Sequence, residues 1–134
     1  MLVCSVIIAV SCNINEPEIS TPDEETAVMK NNSQTVLYIG NDSIILNEYN
    51  FFCSPSGKIE FMYFGEMDYL FEIDDVPDNK WEDKIAAVPR NGYILYFANG
   101  KNELARLMVT GYYYDSQNNI TGAAIHYQYP WKPK

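Results

Sequence analysis

Few residues in this chain have the chemistry for a reaction, and their spacing favours binding over catalysis. His126 is the single histidine among 134 residues. A histidine zinc site or a Ser-His-Asp arrangement would have to use it, and nothing next to it suggests either. In Ala124-Ile125-His126-Tyr127 it shares a strand face with Gly122, Ala124 and Gln128, as a surface or pocket-rim side chain. Carboxylates are plentiful: Glu60, Glu66, Asp68, Glu72, Asp74, Asp75, Asp78, Glu82 and Asp83 crowd one interval. Calcium takes six to eight oxygen ligands, and Asp74-Asp75-Val76-Pro77-Asp78-Asn79 offers several. The EF-hand spacing fails, because Val76 stands at its second carboxylate and the glycine is missing. We therefore expect no metal and no cofactor. A hydrolase using Glu72 and Asp74 is an alternative, since paired carboxyl groups about 5–9 Å apart cleave glycosides. Cys53, alone in an apolar run, fits a small buried hydrophobe better than a nucleophile.

Aromatic side chains give the stronger binding signal. Tyr112, Tyr113, Tyr114, Tyr127, Tyr129 and Trp131 gather near the C-terminus, with Tyr93 and Tyr96 expected on a neighbouring strand. Rings with a polar handle suit the apolar faces and hydroxyls of a sugar, or a protein partner. On a strand Tyr113 must point away from Tyr112 and Tyr114. Tyr112, Tyr114, Tyr127, Tyr129 and Trp131 are thus the candidate ligand-binding residues; the competing reading is that they build the core and its rim.

Strands must position these groups. Thr35–Ile39, Ser43–Cys53 and Lys58–Phe64 are extended runs separated by Gly40-Asn41-Asp42 and Ser54-Pro55-Ser56-Gly57, both turn clusters. Lys58–Phe64 is expected to pair with 49–53, and Gly65 marks a bulge. Glu66–Asp74 alternates, with Met67, Tyr69, Phe71 and Ile73 toward the core and Leu70 on the wet face. Trp81–Lys84 forms one helical turn, and Ile85–Val88 a short strand. From Gly92 a three-strand meander follows: Tyr93–Ala98, Glu103–Tyr114 and Ile120–Tyr129. Asn99-Gly100 is its first turn, of type I′, and Pro130 stops the last strand. The sum is an all-β domain of about eight short antiparallel strands, a small sandwich or barrel.

The first third of the chain is different. Residues 2–11 are uncharged and mostly apolar, too short to cross a bilayer but long enough for the apolar segment of a secretory signal. The alternative is a buried strand over 2–10. Ala9-Val10-Ser11-Cys12 resembles the cleavage box of bacterial lipoproteins, in which Ser11 would be the small residue before the cut. The resemblance implies a signal peptide over 1–11 and a diacylglyceryl group on the Cys12 sulfur. Residues 12–34 then read as a lipidated Cys and an acidic flexible tether, too poor in large apolar groups to fold, spanning about 25 Å or more. The folded domain is expected over 35–134.

Charge narrows the partners. The net charge is −9: residues 1–30 hold five carboxylates against Lys30, and the remainder holds 13 acidic against 8 basic residues. Such a surface repels phosphate backbones, which excludes nucleic acid. It also repels anionic lipid, so membrane attachment would rest on the anchor at Cys12.

Trp81–Val88, Asn91-Gly92-Tyr93, Leu104–Val109 and Ile120–Pro130 together resemble the C-terminal half of small Bacteroidetes lipoproteins of unknown function. The resemblance implies a β-rich domain at the bacterial cell envelope, lipid-anchored to the outer membrane on its periplasmic or surface face. It implies no activity. We expect a non-catalytic binding module whose partner is a glycan or an envelope protein.

Overall fold

A computed structural model describes residues 24–134; the expected signal, Cys12 and residues 13–23 lie outside them. Among the described residues nine strands form two antiparallel sheets. The larger is ordered β1 (Glu24–Lys30), β9 (Ile120–Trp131), β8 (Glu103–Tyr114), β7 (Asn91–Phe97), β5 (Ile59–Glu66). The smaller is ordered β2 (Val36–Ile39), β3 (Asp42–Leu46), β4 (Phe51–Cys53), β6 (Lys84–Ala86). The fold is a two-sheet sandwich, not closed into a barrel, and β7–β8–β9 is the expected C-terminal meander.

The inner faces meet through alternating apolar residues, as half-buried strands require. Ile44, Leu46 and Phe52 of the smaller sheet pack on Phe61, Leu95, Phe97, Leu107 and Ile125 of the larger. Phe52 stacks on Phe61 at 6.3 Å and meets the edge of Tyr93 at 5.8 Å. Tyr93 is buried, and its hydroxyl donates to the Ala86 carbonyl at 2.6 Å and accepts from Val88 N–H at 3.0 Å. Burial pushes this phenol's pKa upward.

A second apolar cluster lies on the outer face of the larger sheet. Met62, Ile94 and Met108 project there, covered by Met67, Leu70, Ile73 and Trp131. This corrects the expectation for Glu66–Asp74, which is not a strand. Beyond Glu66 the chain turns over the sheet through a 3₁₀ turn, Leu70–Glu72. Leu70 is buried while Tyr69 and Phe71 are exposed. The apolar residues that reach the sheet are Met67, Leu70, Ile73 and Val76, three apart, the period of a 3₁₀ helix. Glu72 fixes the turn by accepting N–H bonds from Asp68 and Tyr69, each 3.0 Å. A Cβ on Gly92 beneath it would lie 2.2 Å from the Met67 methyl, so any side chain there would have to displace the flexible end of Met67.

Other expectations need correcting. β1 lies within the expected tether: all seven of its residues pair with β9, from Glu24 opposite Gln128 to Lys30 opposite Gly122. Only Ala27 and Met29 face the core, too few to show a period, so the strand exists through a partner about a hundred residues away. β5 pairs with β7, not with β4, because Ser54–Lys58 carries the chain from one sheet to the other. Residues 81–83 form no helical turn; Glu82 instead bridges Phe61. Phe97 pairs with Glu103, so the hairpin loop has five residues, with positive φ at Gly100 and Asn102, and is not a two-residue type I′ turn. β9 continues through Pro130 to Trp131; among the described residues the β1 pairing reaches only from Lys30 to Glu24, opposite Gln128, so none of them needs an N–H from residue 130. The bulge at Gly65 is present, as a register shift between Tyr63 and Gly65.

Candidate functional site

Antiparallel pairing sorts the connections to two ends. One end, the loop end, gathers 31–35, 47–50, 87–90 and 115–119. The other, the terminal end, holds the start of β1, the turns at 40–41, 54–58 and 98–102, and residues 131–134.

At the loop end a hydrogen-bonded belt joins both sheets. Asn31 Nδ2 donates to Asn50 Oδ1 at 2.9 Å and to the Ile120 carbonyl at 2.8 Å. Ala87 N–H donates to the Asn50 carbonyl at 2.7 Å, and Arg90 N–H to the Val109 carbonyl at 2.7 Å. Tyr112 closes the belt, its hydroxyl donating to the Ala87 carbonyl at 2.6 Å. Partial burial, and after it Tyr114, raises the Tyr112 pKa. Asp115 caps its own turn by accepting from Gln117 and Asn119 N–H, which holds its carboxyl below the usual range. Four non-glycine residues with positive φ sit here: Ser33, Asn50, Arg90 and Asn118. Such conformations are held only where surrounding bonds dictate them, and they concentrate at binding sites. On this scaffold Tyr114 stands edge-on to Tyr112 at 6.3 Å. Tyr114 is 58% exposed, Tyr113 48% and Tyr49 73%.

The five candidate aromatics do not share one surface. Tyr112 and Tyr114 meet at the loop end. Tyr127 is buried between the sheets, its hydroxyl 3.3 Å from Glu25 Oε1. Tyr129 lies nearer the terminal end, its ring 4.7 Å from Phe97 and its hydroxyl donating to Glu103. Burial and this carboxylate push its pKa up to about 12, and the same bond lowers that of Glu103. Trp131 is buried on the opposite face of the sheet, under the Arg106 guanidinium at 5.7 Å. The register shift between Leu104 and Arg106 in the β8–β9 pairing reverses the alternation and puts Trp131 on the outer face.

A polar network on that outer face was not foreseen from spacing. His126 Nε2 lies 2.9 Å from Glu24 Oε1, and Arg106 Nη2 lies 3.7 Å from Glu24 Oε2. Arg106 also donates to Gln128 Oε1 at 2.9 Å and to the Ile73 carbonyl at 2.8 Å. Burial lowers the Arg106 pKa, against the pull of Glu24 and Asp74. With Glu25 bonded on the inner face, two consecutive glutamates clasp β1 to β9 from both sides. The only signal in the sequence was the pair Glu24-Glu25, whose partners lie about a hundred positions away.

The remaining groups are dispersed. Among the described residues no three His, Cys, Asp or Glu side chains gather as metal ligands. Glu72, one of the two candidate hydrolase carboxylates, is held by the turn it caps. Cys53 is half-buried, and burial raises its thiol pKa against the opposing effect of Lys84, which disfavours the thiolate. At the terminal end a cleft of about 380 Å³ opens between Lys101–Leu104 and Pro130–Pro133.

Searches for similar proteins find no matching family model, no matching curated protein and no matching solved structure.

Proposed function

We propose that the protein is a non-catalytic binding module of the bacterial envelope, anchored through lipid on Cys12, which binds its ligand at the loop end. The observation that carries this reading is the opposition of the two ends. The described residues begin at Glu24, at the terminal end, while Tyr49, Tyr113 and Tyr114 are exposed at the other. Seven paired residues of β1 set these ends about 24 Å apart. Residues 13–23 reach at most about 36–40 Å from Cys12 to Glu24. A leash of this length, attached at the terminal end, leaves the tyrosine end free to face away from the membrane.

Tyrosine and asparagine on braced loops are the composition of surfaces that recognise ligands through apolar contact and adaptable hydrogen bonds. The ligand class is a glycan or a loop of another envelope protein. Mass spectrometry of the N-terminal peptide from membrane-fractionated cells, beside a Cys12→Ala variant, tests the anchor. A peptide starting at lipidated Cys12 and lost in the variant is the expected result. An unmodified peptide starting at Met1 would end the lipoprotein reading.

A further inference from the structure

The 3₁₀ turn carries two side chains that serve neither the core nor the loop end. Tyr69 and Phe71 stack on each other, centroids 5.3 Å apart and planes within 9°, yet 61% and 65% of their surfaces are exposed. Leu70 and Ile73 beside them are buried in the outer cluster, so the turn directs the two rings away from the sheet. The base under them is fixed. Glu72 accepts from two N–H groups, Ile73 N–H donates to the Leu70 carbonyl at 3.0 Å, and Arg90 Nη2 meets Asp68 Oδ1 at 2.6 Å. A rigid, exposed aromatic pair has the character of an interface anchor: large apolar area already ordered before binding.

The surroundings specify the occupant. Glu66, Asp68, Glu72 and Asp75 lie within four residues of the rings along the chain and are exposed. Arg90 is taken by Asp68, and Arg106 is taken by Glu24 and the Ile73 carbonyl. Carboxylates repel anionic lipid and nucleic acid alike. They attract lysine and arginine, and a projecting apolar pair fits an apolar stripe or groove. We propose that Tyr69 and Phe71, with their flanking carboxylates, form a docking surface for a cationic amphipathic segment of a partner protein. Its apolar side chains would pack on the rings and its basic ones on Glu66, Glu72 and Asp75. This surface is independent of both the lipid anchor and Tyr112–Tyr114.

Titration calorimetry of the full chain with a short synthetic amphipathic peptide of leucine and lysine tests it, with a leucine/glutamate peptide as control. The Leu/Lys peptide is expected to bind, with affinity falling as salt rises. Tyr69→Ser with Phe71→Ser should weaken binding about tenfold or more. Glu66→Gln with Asp75→Asn should weaken it several-fold and flatten the salt dependence, and Tyr114→Ala should leave it unchanged. The melting temperature of each variant reports its fold, and the charge pair serves if the ring pair lowers it. No binding by the wild type, equal binding by the ring variant, or equal binding of the Leu/Glu peptide would overturn the proposal.

Discussion

The two ends of the sandwich use tyrosine for opposite purposes. Toward the terminal end Tyr127 and Tyr129 lie in or against the intersheet core and give their hydroxyls to Glu25 and Glu103. At the loop end Tyr112 gives its hydroxyl to a backbone carbonyl, and Tyr113 and Tyr114 extend past it into solvent. A phenol bonded to a carboxylate beside the core contributes stability. A phenol standing on a hydrogen-bonded belt presents area at little ordering cost, because the belt is already formed. The same residue type, in strands that pair with each other, builds at one end and presents at the other.

The largest effect should follow from removing a builder. Trp131→Ala empties a buried site in the outer cluster and should cost about 3–5 kcal/mol, seen as a lower urea midpoint. If Trp131→Ala were neutral, the terminal end would not be the structural one. Gly122→Ala comes next. A Cβ there would sit 2.5 Å from the Met29 carbonyl oxygen, so β1 must shift, at about 1–3 kcal/mol. Hydrogen exchange should show amides of β1 losing protection first, and unchanged protection would mean that β1 is not held closely to β9.

A smaller effect separates the two phenol environments. The Tyr129 pKa is pushed up to about 12 from 10.0, so the fold favours the neutral phenol. That stability is complete below about pH 10 and is lost as pH rises toward 12. Tyr129→Phe should reduce the alkaline loss measured by urea unfolding between these values. It would not abolish it, because Tyr93, Tyr112 and Tyr127 are also raised, each first by burial. At the acidic side the lowered Glu103 works in the opposite sense: its contribution is present above the usual carboxylate range and fades as pH falls through its folded value.

Legibility in the sequence followed the range of the interaction. β8 shows its limits directly, because the Asn99-Gly100 turn before it and the β-branched and aromatic run at its end are local signals. β1 does not, since two core-facing residues and a partner at Gln128 leave no local trace. The Glu66–Asp74 interval shows two periods at once. Alternation was the more conspicuous, but Leu70, out of place on a wet strand face, marked the period of three that the fold uses. The aromatic set was half legible: Tyr112 and Tyr114 share a surface as adjacent alternate residues must, whereas Trp131 depends on a register shift that no spacing reveals.

In the function proposed above, ligand binding belongs to the loop end and structure to the terminal end. An array of glycans and envelope-protein fragments, probed with the wild type, Tyr113→Ala/Tyr114→Ala and Trp131→Phe, tests it most directly. Both exposed tyrosines are removable at within about 0.5 kcal/mol of stability each. The account predicts that the tyrosine variant loses the wild-type signal while Trp131→Phe keeps it. A tyrosine variant that binds as the wild type does, with the signal lost in Trp131→Phe, would place recognition at the terminal cleft and contradict the account.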